Sequence, residues 1–242
     1  MIGQDLRTFT AAADRYYYEH LVQKDFTSYF PKLPSYHRFI ELIGRQTLKL
    51  YMFVKVLTSL SEKTGHYFID SKKLPVCDNR RIHSNKVFAG FATRGKSSTG
   101  WFYGLKIHLI INELGQIMNF TLTPANVMDN NEHLLKKMFK GLKGKCYGDK
   151  GYLSKLFTFF YQQGLHLVTK IRENMKNQLI SVNDKINLKK RGVIESVNDI
   201  LMTVFDIEHT RHRSPINAIA HIFGALAAYC FYECKPTTFI KR

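Results

Sequence analysis

Apolar and polar positions change rhythm partway along this chain. From Ser35, residues Phe39, Ile40, Leu42, Ile43, Leu50, Phe53, Val54 and Leu57 recur at helical spacing. One long helix is expected there, capped by Ser35, preceded by the breakers Pro31 and Pro34, and stopped at Lys63-Thr64-Gly65. After Gly65 the period shortens. Residues 66–69 (HYFI) are aromatic and β-branched, and predict a short strand ending on Asp70. Residues 101–111 (WFYGLKIHLII) predict a second strand, and the turn Glu113-Leu114-Gly115 folds it back on a third over 117–122. There follow a helix over 130–140, a strand over 145–147 closed by Gly148-Asp149, and a helix from Ser154 to Gln163 stopped by Gly164. A strand over 165–171 and a helix over 189–205, with Ile194, Val197, Leu201 and Val204 on one side, complete the series.

The order βββαβαβα behind a helical lead-in predicts an α/β fold, a mixed five-stranded sheet flanked by helices. No repeat or long linker interrupts it, so the chain divides into a helical N-terminal region over 1–64 and an α/β body over 65–242. Residues 216–232 (INAIAHIFGALAAYCFY) are barely long enough to span a bilayer and are interrupted by Asn217 and His221. With Ser214 as cap and Pro215 in the first turn, a buried C-terminal helix is the expectation, with no membrane partner. The polar start, MIGQDLRTFTAAADRYYYEH, has no apolar core of a signal peptide, and a cytoplasmic location is expected.

Hydrophobic residues at 45% and charged residues at 23% describe an ordinary globular chain. Charge sign is what sets it apart. The formal net charge is +17, and residues 70–120 carry eight bases against three acids. So much like charge on a compact body points to a polyanionic partner, and nucleic acid is the commonest. Cys77, Cys146, Cys230 and Cys234 lack paired CxxC spacing, which argues against a zinc ribbon, a redox motif or a disulfide framework.

Three acids fall where such a sheet would gather them. Asp70 and Asp149 end neighbouring strands whose carboxyl ends point the same way, and Glu195 lies on a later helix that can reach them. Carboxylate oxygens at converging strand ends are what Mg²⁺ takes, and two such ions can serve an in-line displacement at phosphorus. Any one of these acids alone would be read as a turn, cap or solvated residue.

The surrounding sequences carry more. FIDSKKLPVCDNRRIHSNKVFAGFATRGKSSTGWFYGLKIHLIINELGQ, LTPANVMDN, YGDKGY, KRGVIESVND and IEHTRHRSPIN occur in this order over 68–217, and the chain over 30–229 resembles the IS982-type bacterial insertion-sequence transposases. The resemblance implies an RNase H-like fold and a DDE triad of Asp70, Asp149 and Glu195. It also implies two ions of Mg²⁺ or Mn²⁺, with double-stranded DNA (element ends and target) as substrate and a homodimer as assembly. The implied reaction is metal-dependent cleavage and strand transfer. A structure-selective nuclease on the same fold and a catalytically silent DNA-binding remnant are the alternatives. Two departures stand out. Met202 occupies the place, seven residues after the glutamate, where related transposases commonly carry lysine. GQDLRTF resembles the interior of the family's N-terminal helical region, so a chain shortened at its front is expected.

Arg80, Arg81, Lys86, Arg94 and Lys96, in the stretch between the first two strands, and Lys189, Lys190 and Arg191 are the expected DNA contacts. Arg191, four residues before Glu195, shares its helical face. Trp101 is read as a core residue rather than a base-stacking platform, His108 as a satisfied structural histidine, and Asp129 as a helix cap. The run Glu208-His209-Thr210-Arg211-His212-Arg213 lacks the further ligands that a metal site needs.

Overall fold

The computed structural model describes residues 15, 17–30, 32–152, 156–169, 180–208 and 212–238. Their centre is a curled mixed sheet with helices on both faces, an RNase H-like fold. Its strands are β1 (His66–Cys77), β2 (Thr93–Ser97), β3 (Gly100–Asn112), β4 (Ile117–Pro124), β5 (Gly144–Gly148) and β6 (Leu165–Thr169). β1 runs antiparallel along one edge of β3. β2 and β4 share the other edge, β2 on residues 100–104 and β4 on residues 105–111. β5 lies parallel to β1, and β6 parallel to β5.

The sheet therefore has six strands where the sequence predicts five. The missed one, β2, reads TRGKS, with no apolar alternation to betray it. It is an edge strand that keeps Arg94 and Lys96 exposed, and charge on an edge also discourages pairing with other chains. At Gly95 a Cβ would lie 2.3 Å from the Ala125 carbonyl oxygen, so only glycine fits. β1 also runs seven residues past Asp70 (77 − 70 = 7), to Cys77. The long partner β3 supplies its ladder throughout, whereas β5 pairs only residues 66–68. The far half of β1 thus has one open edge, which accepts Lys72, Lys73 and the N–H-less Pro75, with a bulge between Pro75 and Cys77.

Strand alternation gives the sheet two apolar faces. Phe68, Leu74, Leu105, Ile107, Leu109, Ile111 and Tyr147 form one core with helices α6 (Gly192–Thr203) and α7 (Pro215–Phe231). Tyr67, Ile69, Ile110, Cys146 and Leu167 form the other with helices α3 (Glu132–Phe139) and α4 (Phe157–Gln162). Ser154 and residues 170–171, assigned from sequence to the flanks of α4 and β6, lie outside the described residues.

Two expected helices are each divided. The first becomes α1 (Tyr36–Arg45), capped by Ser35 Oγ accepting from the Arg38 N–H, and α2 (Thr47–Ser59). At the break Thr47 Oγ1 donates to the Gly44 carbonyl at 2.7 Å, a side-chain bond that competes with the helical ladder. Gly44 also passes close to Asn217 of α7. Val54 of α2 is fully buried in the first core. The helix expected over 189–205 is instead α5 (Val182–Lys190) followed by α6, with Arg191 at the joint. α5 escaped notice because what anchors it is polar. Asp184 accepts from Lys145 Nζ at 2.8 Å and from Tyr147 Oη at 3.1 Å, and Asn187 donates to Tyr147 Oη at 3.0 Å. Burial alone would raise the Asp184 pKa, but the bonds from Lys145, Ser181 and Tyr147 outweigh it and hold the carboxyl below its ordinary range. α7 is the buried C-terminal helix expected, and among the described residues no helix is long and apolar enough to cross a membrane.

Candidate active site

β1 and β5 run parallel with Phe68 opposite Tyr147. That is the last paired position, and Asp70 and Asp149 each follow it by two residues. Phe68 and Tyr147 both point into the α6–α7 core, and by alternation Asp70 lies on that side of β1. Asp149 lies one residue past β5 and is exposed. Its backbone carbonyl accepts the Tyr152 N–H at 3.0 Å, which turns the chain into the short 3₁₀ segment Lys150–Tyr152.

Asp70 is largely enclosed, its side chain 22% exposed. Asn198 Nδ2 donates to its Oδ2 at 3.0 Å, and Arg191 Nη1 lies 3.6 Å from its Oδ1. The other arm of Arg191 donates to Glu195 Oε1 at 2.8 Å. Arg191, Glu195 and Asn198 stand at helical spacings of four and three residues, so the joint before α6 and its first turns present them together. Arg191 is 14% exposed while Glu195 is 58% exposed. The arginine is thus turned inward, towards the acids. Asn198, which the sequence reading missed, could have been found as a polar residue on the apolar side of the helix, three places after Glu195.

Burial pushes the Asp70 carboxyl up to about 6. Arg191 and the Ser71 backbone oppose this, while the Glu195 and Asp129 charges add to it. The folded value lies above the unfolded one of about 4. The stability it provides is therefore fully present below about pH 4 and is lost as pH rises through about 6. Without divalent ions, Asp70→Asn should raise the urea midpoint at about pH 8 and flatten the decline between about pH 4 and 6. The gain is bounded by about 3 kcal/mol, two pKa units at about 1.4 each. An unchanged pH profile in urea titrations would remove this account of Asp70.

Behind the sheet, Lys106 Nζ is paired with Asp129 Oδ1 at 2.9 Å. Asn131, not Asp129, caps α3, its side chain accepting from the Leu134 N–H. The cap falls to Asn131 because Asp129 is engaged by Lys106 and lies under the Asp149 turn, where a Cβ on Gly151 would sit 3.7 Å from its Oδ2. His108 is wholly buried with Nε2 2.9 Å from Thr123 Oγ1. Burial lowers its pKa to about 4, so the ring is neutral near pH 7. Its Nδ1 is buried without a hydrogen-bond partner, so the histidine is structural yet only half satisfied.

Arg80, Arg81, Lys86, Arg94 and Lys96 are exposed on the segment leading from β1 and on β2; Lys189 is exposed and Lys190 half-buried at the end of α5. Trp101 is not a core residue. It is 59% exposed at the start of β3, where the hairpin carries it past the helices that cover the sheet. Met202 is half-buried and packs on the α6–α7 core. Residues 209–211 of the His/Arg run lie outside the described residues.

Among the described residues no three His, Cys, Asp or Glu side chains are gathered closely enough to hold a metal ion as they stand. Two of the acids, Asp70 and Glu195, are nevertheless gathered about one cationic group, the Arg191 guanidinium. A hard-oxygen donor set already arranged around positive charge suits a divalent cation.

A family model described as "Transposase DDE domain" matches residues 60–215, well over half of the chain and all three acids. The chain belongs to this family. No curated protein and no solved structure matches it. The DDE domain is that of DNA-cleaving and strand-transferring enzymes that typically use divalent metal ions, which makes DNA its partner.

Proposed function

We propose that this DDE domain is the catalytic part of an IS982-type insertion-sequence transposase, with Asp70, Asp149 and Glu195 as its metal-holding acids. The observation that supports the reading is that Arg191 lies between Asp70 and Glu195, on elements more than a hundred residues apart in sequence. Two ions of Mg²⁺ or Mn²⁺ held there would polarise the attacking and leaving oxygens of an in-line displacement at phosphorus.

The chain's own residues prepare that chemistry. Asn198 fixes the Oδ2 of Asp70 and so sets the direction in which its other lone pairs point. Asp70 keeps a proton below about pH 6 and releases it above, which makes it a better ligand at neutral pH. Arg191 neutralises Asp70 and Glu195 while no cation is present, and can hold a phosphate oxygen once the acids are otherwise engaged. Arg80, Arg81, Lys86, Arg94, Lys96, Lys189 and Lys190 supply positive charge along the path of the DNA. A homodimer would bring two element ends together.

The test is a strand-transfer assay with duplexes carrying the element's terminal sequence and a plasmid target, in Mg²⁺ and in Mn²⁺. Cleavage at the end followed by joining to the plasmid is the result that supports the reading. Cutting without joining would make the protein a nuclease. Folded protein that binds the ends and neither cuts nor joins would make it a silent DNA-binding remnant. Either result ends the transposase reading.

A further inference from the structure

We propose that the β2–β3 hairpin is a stacking platform on which Trp101 takes an unstacked base from the DNA that leads to the acids. The inference rests on the reading of this chain as a DNA-acting enzyme and adds to it a contact that distorts the substrate.

Trp101 is a large apolar side chain left 59% exposed beside cations. The β2–β3 register sets Lys96 directly opposite it and Arg94 opposite Tyr103, so both bases share its side of the hairpin. Lys96 Nζ lies 5.9 Å from the centre of the indole. The support is fixed from several directions. Asn79 Nδ2 donates to the Trp101 carbonyl at 2.7 Å, Lys73 Nζ to Thr99 Oγ1 at 2.8 Å, and Ser97 Oγ to the Gly100 carbonyl at 3.1 Å. Arg80 and Arg81 follow Asn79 in the same short 3₁₀ turn and are exposed.

An aromatic face flanked by basic side chains is what a strand with an unpaired base needs, because the ring takes the base and the cations take the phosphates. A protein partner would have to bury a patch in which bases outnumber the one acid, Asp78, on a chain of net +17, whereas DNA complements it. Position agrees with this. Trp101 and Leu109 are eight residues apart on β3 (109 − 101 = 8) and therefore face the same side, and Leu109 is the partner of Asp70. Eight residues of strand measure about 26 Å at about 3.3 Å each. A DNA strand rising about 3.4 Å per nucleotide covers that in about eight nucleotides. One DNA molecule can thus lie across both the acids and the platform, with the stacked base well away from the reacting bond.

Trp101 is the only tryptophan in the chain, so the full-length protein reports on it directly. In EDTA, where nothing is cut, titration with DNA containing an unpaired stretch should strongly quench its emission, and fully paired DNA should quench it less. By anisotropy of labelled DNA, Trp101→Ala should weaken binding of the unpaired substrate about tenfold, and Trp101→Phe should keep most of the affinity. The position is exposed, so both variants should retain the circular dichroism of the parent. Unquenched emission at saturating DNA, or unchanged affinity in Trp101→Ala, overturns the platform. Unchanged affinity together with altered sedimentation of Trp101→Ala would assign the patch to a protein contact instead. The two readings fail separately. Quenching by a protein that cuts nothing leaves the platform standing, and cutting without quenching removes the platform alone.

Discussion

Asp149→Asn should abolish metal-dependent nicking, by at least about a hundredfold, in a protein that remains folded. The substitution keeps size and hydrogen-bonding capacity and removes only the charge that a divalent ion requires. A bound ion contributes several kcal/mol of transition-state stabilisation, and each 1.36 kcal/mol is about tenfold in rate. The fold should be indifferent to the change. Asp149 is exposed, and the turn that follows it is held by its backbone carbonyl, not by its carboxylate. This makes Asp149 a cleaner probe than the other two acids. Asp70→Asn alters a largely enclosed group held by Asn198 and Arg191, and Glu195→Gln weakens the bond that occupies one arm of Arg191. Plasmid nicking in Mg²⁺, with thermal unfolding as control, decides the matter. Full nicking by purified Asp149→Asn protein would eliminate the three-acid mechanism.

Affinity for duplex DNA should fall about a thousandfold as salt rises from about 50 to 200 mM, the loss expected for about six neutralised phosphates at a slope near −0.9 each. Six of the proposed contacts, Arg80, Arg81, Lys86, Arg94, Lys96 and Lys189, are exposed and free to reach a backbone. Arg191 is left out of this sum because it already faces Asp70 and Glu195. Replacing Arg94 and Lys96 together by alanine should lower the steepness of the log–log plot by about two, since each contact releases about one counterion. Anisotropy titrations at four or five salt concentrations give both quantities. A nearly flat dependence in the parent protein would mean that the charge excess serves something other than DNA.

Much of this was legible in the order of residues. Periodicity located the strands around Tyr67, Ile107, Phe120, Cys146 and Leu167, because each buries an apolar set on at least one face. It also anticipated that the strands around Tyr67 and Cys146 are neighbours, and β1 and β5 do pair in parallel. Ser35 was identifiable as a cap because capping depends on nearest neighbours in the chain, and α7 as a buried helix because its residues are almost all apolar. β2 and α5 were not legible. The first is an edge strand of polar residues, and the second is anchored by Asp184, Lys145 and Tyr147 rather than by apolar contacts.

The sequence by itself determined the alternation of strand and helix, the positive charge and the three acids, since each is a property of residue type and spacing. Only the tertiary structure decided that Arg191 faces inward between Asp70 and Glu195, that Asn198 holds Asp70, and that Trp101 stands in solvent beside Lys96. The physical reason is the same in all three cases. Spacing fixes which face of an element a side chain occupies, whereas burial and pairing depend on what the rest of the chain lays against that face. β3 carries Trp101 past the last helix that could cover it, and α6 brings Asn198 and Arg191 onto a strand more than a hundred residues earlier.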